Sequence, residues 1–157
     1  MTKNQWYIGA PNGVILCADA IRAGEPAGRL YHSYRTDAQS FCNAEEMVSL
    51  MEKLYDAMNF PHPGTNERLF HPVTKTGEHY SEKDRIMKDE SLLNKHGDLG
   101  TFIVRVQHRQ NSSWQGRITW MEQDKTISFR SVWEMVKLIE NALDTVCTEE
   151  KEEAPNW

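Results

Sequence analysis

The chain has 157 residues, a mass of 18.2 kDa and a formal net charge of −5 at pH 7. Its length suits one domain with its own core, and a content of 39% hydrophobic and 26% charged residues excludes a wholly disordered chain. The negative charge disfavours non-specific nucleic-acid binding by the chain as a whole.

The sequence also bears on the cellular compartment. No stretch approaches the roughly 18 consecutive apolar residues of a membrane span, and the N-terminus lacks the apolar core of a signal peptide. The three cysteines, Cys17, Cys42 and Cys147, form no CxxC pair, which favours reduced thiols over a disulfide framework. We therefore expect a cytoplasmic protein without membrane contact.

The N-terminal part, residues 1–56, predicts three strands and a helix. Residues 6–8 suggest an additional edge strand, and the apolar run at 14–16 begins a further strand. Asn43 is the predicted N-cap of the helix, because Glu46 follows three residues later. The apolar stripe of that helix consists of Met47, Leu50, Met51 and Leu54.

Residues 57–100 predict an insertion with two different parts. Up to about Tyr80 the insertion holds three prolines and two glycines, which is typical of irregular structure. After Tyr80, a start signal at Ser81 and Asp84 predicts a helix over residues 82–95.

Three histidines in this insertion raise the question of a metal site. His62, His71 and His79 are spaced nine and eight residues apart, whereas zinc sites normally contain at least one close ligand pair. We therefore predict no metal and no other cofactor. An enzyme would instead require a deep pocket that combines one of these histidines with a carboxylate.

Residues 101–144 predict a second unit of three strands and a helix. The predicted strands span residues 101–110, 115–122 and 126–129. Ser131 and Glu134 form a capping box at the helix start. The apolar stripe of this helix consists of Val132, Met135, Val136, Ile139 and Leu143. The acidic tail at 145–157 is predicted to be frayed.

An internal repeat relates the two units. Residues 28–56 align without gaps to residues 116–144, at a constant offset of 88, and ten of the 29 positions are identical. Ordinary residue usage predicts about two identities. A Gly-Arg pair and a Ser-Phe pair recur at matching distances, which two unrelated amphipathic helices would not explain.

The repeat predicts an α+β fold in which a βββα unit is duplicated and the antiparallel sheets pack as a pseudo-dimer. One three-stranded unit has a marginal core. Two units can stack sheet on sheet, or join at their edges into a six-stranded antiparallel sheet. Either arrangement gives a monomer with pseudo-twofold symmetry, and a homodimer stays open as an alternative.

A basic stretch in the second unit is the strongest candidate binding site. Residues 101–121 contain three arginines and several amides, with Trp114 in the predicted turn, but no acidic residue. The predicted binding set is Arg105, Gln107, Arg109, Asn111, Trp114 and Arg117, since arginine forks beside an aromatic ring can bind phosphate, a base or a carboxylate. The alternative is a solvated strand face with a tryptophan folded back onto the sheet. In the first unit, Cys17, Ile21 and Pro26 replace Arg105, Arg109 and Trp114.

Residues 101–143 carry the pattern VQHRQN…WQG…W…FRS…LI…AL. In this pattern the chain resembles a group of small uncharacterised bacterial proteins, mainly of Gram-positive anaerobes. The RQN…WQG segment is the specific part of the likeness. The resemblance implies a bacterial cytoplasmic protein and supplies no catalytic residues.

The sequence favours a non-enzymatic function. It contains no GxSxG elbow, P-loop, GxGxxG or EF-hand loop. We therefore predict a binding or regulatory protein that contacts a protein partner, for example a mobile-element inhibitor whose acidic surface fits a basic groove. The alternative is a nucleic-acid-binding module that uses the arginines and tryptophan of the second unit, with no catalytic residues in either case.

Overall fold

The computed structural model of this chain describes residues 13–61, 70–71, 79–109 and 113–153. The strands are β1 (Val14–Arg22), β2 (Glu25–His32), β3 (Gln39–Phe41), β4 (Gly100–His108), β5 (Gln115–Trp120) and β6 (Lys125–Phe129). The helices are α1 (Ala44–Met58), α2 (Asp89–Leu93) and α3 (Val132–Glu153). The predicted edge strand at residues 6–8 lies outside the described residues. Within the described part, no helix combines the length and apolar content needed to span a membrane.

The six strands form one antiparallel sheet in the order β3-β2-β1-β4-β5-β6. The predicted α+β class and the antiparallel pairing are therefore confirmed. Of the two predicted arrangements, stacking of two sheets is wrong, because β1 and β4 pair with each other and make the sheet continuous. No second sheet is needed to complete the core, since α1 and α3 cover one side of this sheet.

The pairing registers of β1–β3, here called the first half, recur 88 residues later in β4–β6, the second half. Examples are Cys17↔Arg29 and Arg29↔Ser40 in the first half, and Arg105↔Arg117 and Arg117↔Ser128 in the second. The register shifts just after Ala18 in β1 and just after Val106 in β4. At the junction of the halves, Ile15 pairs with Ile103, which is also 88 residues away.

Two glycines sit where a neighbouring strand comes very close. A Cβ atom on Gly28 would lie 1.9 Å from the carbonyl oxygen of Cys17, and one on Gly116 would lie 2.0 Å from that of Arg105. Both obstacles are backbone atoms, which cannot move aside as a flexible side chain can. This close approach explains why both positions, which are 88 residues apart, are glycine.

The two sides of the sheet have different coverings. The larger core cluster lies between the sheet and helices α1 and α3, and its strand residues include Leu16, Leu30, Phe102, Val104, Ile118 and Phe129. A smaller cluster lies on the other side and consists of Ile15, Cys17, Tyr31, Leu92, Ile103 and Met121. Alternation along the strands therefore buries both sides near the junction of the halves.

Residues 86–99, here called the covering segment, lie over the second side of the first half. Leu92 of α2 is fully buried in the smaller cluster. The backbone N–H of Leu99 donates to the carbonyl oxygen of Ala18 at 2.8 Å. The covering segment therefore closes the first half on the side that α1 and α3 do not reach.

The helix predicted over residues 82–95 is mostly wrong. The structure has a 3₁₀ turn, a break and the short α2 instead. The backbone N–H groups of Ile86 and Met87 both donate to the carbonyl oxygen of Ser33, at 2.7 and 2.9 Å. These bonds dock the chain on the sheet, and they replace the i→i−4 bonds that a continuous helix would need.

Helix α3 extends into the region that the sequence predicted to be a frayed tail. Helix α3 continues to Glu153, instead of ending near the start of the predicted frayed tail at 145–157. Glutamate and lysine are good helix formers, and the next helix-breaking residue is Pro155.

Both predicted helix caps are confirmed. The Asn43 side chain accepts a hydrogen bond from the N–H of Glu46 at 2.8 Å, and the Ser131 hydroxyl accepts one from the N–H of Glu134 at 3.1 Å. Each glutamate reaches back to the backbone N–H of the residue before its cap. The two helix starts thus use the same hydrogen bonds 88 residues apart.

We expect Asn43→Ala and Ser131→Ala each to lower the free energy of unfolding by about 1 kcal/mol, because each leaves a first-turn N–H without its acceptor. The matched control is Ser49→Ala, a change of the same kind at an exposed position inside α1. Urea titrations of the three variants give the comparison. Equal midpoints for all three would contradict this account of the caps.

Candidate functional site

The predicted binding residues lie on both sides of the sheet. Val104, Val106 and Ile118 belong to the helix-side core, so Arg105 and Arg117, which alternate with them, are on the opposite side. Arg105 is half-buried and Arg117 is exposed. These two arginines are therefore directed away from α1 and α3.

Arg109 and Trp114 belong to the helix side and are buried, with 4% and 5% exposure. Gln107 is exposed in β4, at the register shift. Asn111 lies outside the described residues. The structure therefore does not bring the predicted set together on one face.

Arg109 anchors the end of β4 to the end of helix α1. Its Nε donates to the carbonyl oxygen of Pro61 at 2.6 Å, and its Nη1 donates to Asp56 Oδ1 at 3.0 Å. The guanidinium carbon lies 5.6 Å from the centre of the Tyr55 ring. The last turn of α1 contains no basic residue, so Arg109 supplies a cation to a helix end that favours one.

Trp114 completes the same cluster. Its ring meets the Tyr55 ring edge-on, with centroids 5.4 Å apart and an interplanar angle of 73°. Tyr55 is fully buried, and burial raises the pKa of its hydroxyl far above the ordinary value. The cluster therefore joins helix α1 to the chain at the end of β4 and at the start of β5.

Arg105 and Arg117 remain as the candidate site. They are directly opposite each other on β4 and β5. Neither side chain has a hydrogen bond or ion pair with another residue in the described part of the chain. Two cations in a cross-strand pair repel each other. An anionic group between them would turn this repulsion into attraction.

Hydroxyl groups and one amide surround the arginine pair. On β6, Ser128 pairs with Arg117, and Thr126 lies two residues earlier on the same side of the strand; both are exposed. The Thr126 hydroxyl also shares a hydrogen bond with that of Thr119 at 2.8 Å. We use the name open face for Arg105, Gln107, Arg117, Thr126 and Ser128. These donors and acceptors could bind a carboxylate or a phosphate, because arginine forks and hydroxyls match both groups.

The first half has an arginine in the same register, which sequence reasoning missed. Arg29 donates to both carboxylate oxygens of Asp19, at 2.9 and 3.2 Å, and to the carbonyl oxygen of His96 at 2.8 Å. The bonds from Arg29, and a further one from the N–H of Asp98, hold the pKa of Asp19 below its ordinary value. The offset of 88, which places Gln107 at the position of Asp19, was the signal that could have revealed this difference.

The histidines of residues 57–100 bear on the enzyme alternative, which requires a pocket that combines one of them with a carboxylate. His62 lies outside the described residues, and within the described part no three His, Cys, Asp or Glu side chains form a group that could hold a metal ion. A cavity of about 530 Å³ is lined by Tyr34, Arg35, His79, Tyr80 and Asp84. Asp84 caps the local 3₁₀ turn by accepting from Ser81, and Tyr34 stacks on Tyr80 at 4.9 Å between centroids. These contacts give Asp84, Tyr34 and Tyr80 structural roles, while His79 and Asp84 are a histidine and a carboxylate in one cavity, as the enzyme alternative requires.

Comparison of the sequence with protein-family models, with curated proteins and with solved structures gave no match. The resemblance of residues 101–143 to small bacterial proteins stays a prediction. The functional proposal therefore depends on the geometry of the chain itself, and above all on the open face.

Proposed function

We propose that this chain is a non-enzymatic binding protein that regulates an acidic partner protein by contact through the open face. The observation that carries the proposal is the Arg105–Arg117 pair on the side of the sheet away from α1 and α3. Like charges at directly opposed positions are unfavourable, by up to about 1 kcal/mol. An acidic group bound between them would remove that cost and gain charge-assisted hydrogen bonds.

The charge distribution favours a protein partner over nucleic acid. Helix α1 carries four acidic residues and one lysine, and α3 carries seven acidic residues and two lysines. The formal net charge of −5 disfavours a long polyanion that extends beyond the open face, whereas a local acidic patch on a protein contacts only the open face. The open face also includes no aromatic ring on which a base could stack.

The cysteine of the sheet supports a role without covalent catalysis. Cys17 is fully buried, and burial raises the pKa of its thiol to about 11. The group is therefore a neutral thiol near pH 7 and a poor nucleophile. A binding surface requires no such group, since exposed donors on a rigid sheet are sufficient.

We further propose that the chain is an internally duplicated pseudo-dimer. The support is the recurrence, at one offset, of the strand registers, the close-approach glycines and the helix caps. Duplication would then explain how one copy could become covered while the other kept a free binding surface. The first half, which is covered, would stabilise the fold, and the second half, which carries the open face, would bind the partner.

We expect the double substitution Arg105→Ala and Arg117→Ala to weaken partner binding more than tenfold, which corresponds to about 1.4 kcal/mol, because both cations are lost from the contact. The partner is first captured from nuclease-treated lysate of cells that express the protein. Its affinity is then measured with purified components. The thermal midpoint of the variant should stay within a few degrees of the parent, since neither side chain is fully buried.

The matched control is Lys53→Ala with Lys137→Ala, which removes the same charge from exposed positions on α1 and α3. We expect this variant to bind the partner as the parent does. A change in affinity that appears only in this control would show that the partner contacts α1 and α3. That result would favour an inhibitor whose acidic helices fit a basic groove. Capture that disappears on nuclease treatment would instead favour the nucleic-acid alternative.

A further inference from the structure

The covered first half shows what an arginine in this register of the sheet binds. Arg29 and Arg117 occupy corresponding positions, because each lies between the strand that opens its half and a serine on the edge strand. The fork of Arg29 is occupied by Asp19 and by the carbonyl oxygen of His96, which belongs to the covering segment. Its remaining Nη1 donates to the hydroxyl of Tyr31 at 2.8 Å.

In the described part of the chain, none of these acceptors has a counterpart that bonds Arg117. The offset of 88 places Gln107 at the position of Asp19 and Thr119 at the position of Tyr31, but the Thr119 hydroxyl shares a hydrogen bond with that of Thr126 at 2.8 Å. No second covering segment lies over the second half in the part of the chain that the structure describes. The side chain opposite Arg117 is a second cation, Arg105, where Arg29 faces the neutral Cys17.

From this comparison we infer that the open face binds an acidic polypeptide segment whose carboxylate occupies, at Arg117, the place that Asp19 occupies at Arg29. This inference rests on the proposed function and names the chemistry of the partner. A polypeptide matches both acceptors seen in the first half, a carboxylate and a main-chain carbonyl oxygen. The extra cation at Arg105 is suited to a second carboxylate on the same segment, since each arginine fork can bind one such group.

The position of Gln107 gives a direct test. Gln107→Asp places a carboxylate of this chain where the first half has Asp19, and it should bind Arg117 internally. We expect this variant to weaken binding of a labelled hexaglutamate peptide more than tenfold at low salt, measured by fluorescence anisotropy. The Nε–Hε NMR signal of Arg117 should shift in the free Gln107→Asp variant toward its position in the parent bound to the peptide.

Two controls separate occupation of the fork from a general change of charge. Gln115→Asn shortens an exposed amide side chain of β5 outside the open face without adding charge, and it should bind hexaglutamate within about twofold of the parent. Gln123→Asp adds the same charge at an exposed position in the turn after β5 and should weaken binding less than about threefold. Equal losses in Gln107→Asp and Gln123→Asp would overturn the inference.

Other outcomes separate this inference from the proposed function. Suppose that the parent binds no hexaglutamate, and that the Arg105→Ala, Arg117→Ala variant no longer binds the captured partner. The inference of an acidic segment is then wrong, whereas the proposed binding function is supported. If a twelve-base-pair DNA duplex binds more tightly than hexaglutamate, with an affinity that falls steeply with salt, the ligand is a nucleic acid and the inference is overturned. Binding of hexaglutamate that is lost in Gln107→Asp and retained in both controls supports it.

Discussion

Replacing Arg109 with alanine should lower the free energy of unfolding by about 3–5 kcal/mol, because it removes a buried charge that three groups of another element contact. The guanidinium bonds Pro61 and Asp56 and lies over the Tyr55 ring. Without it, Asp56 loses its cation beside the negative end of α1. Asp56 keeps 27% side-chain exposure, so water reaches it, and we expect a loss near the lower end of that range.

Arg109→Lys separates the charge from the shape of the fork. Lysine keeps the charge but cannot direct two planar donors at Pro61 and Asp56, so it should recover only part of the loss. Asp56→Asn in both backgrounds completes a double-mutant cycle, with urea unfolding as the measurement. Wild-type stability in Arg109→Ala together with a loss of partner binding would contradict the structural role.

Replacing Trp114 with alanine should destabilise the fold by a similar amount, about 3–5 kcal/mol, as expected for a buried tryptophan. The side chain is 5% exposed and packs against the Tyr55 ring. Its removal would leave a cavity between α1 and the strands β4 and β5. Chemical unfolding, followed by circular dichroism, measures the change.

Trp133→Ala is the matched control for this prediction. Trp133 is 68% exposed on α3, and its ring contacts the Lys137 ammonium group at 4.9 Å. We expect a change within about 0.5 kcal/mol. Equal stabilities of the two tryptophan variants would show that Trp114 does not support the core.

These expectations differ from the prediction made from the basic stretch at residues 101–121, which grouped Arg109 and Trp114 with Arg105 and Arg117. In a regular strand, Arg105 and Arg109 would lie on the same side, since they are four residues apart. The register shift after Val106 breaks that alternation, and Arg109 lies on the helix side. A bulge of this kind depends on the partner strand, so the spacing of the arginines could not reveal it.

Several features followed from the sequence by itself because they depend on short-range physics. The alternation of apolar residues predicted β4–β6 to within two residues. The caps at Asn43 and Ser131 needed only a polar side chain three residues before an N–H group. The offset of 88 also predicted that Gly28 and Gly116 occupy equivalent positions, which they do. The sequence did not reveal why both positions are glycine, since the cause is the close approach of a neighbouring strand.

Only the tertiary structure decided which polar residues are free to bind. Arg29, Arg109 and Arg117 cannot be told apart by local sequence. In the structure, however, Arg29 is hydrogen-bonded to Asp19 and to the covering segment, and Arg109 is buried against helix α1. Arg117 alone of these three has no acceptor among the described residues. Whether an arginine is occupied depends on groups ten to 67 residues away, and local patterns carry no information about contacts at that distance.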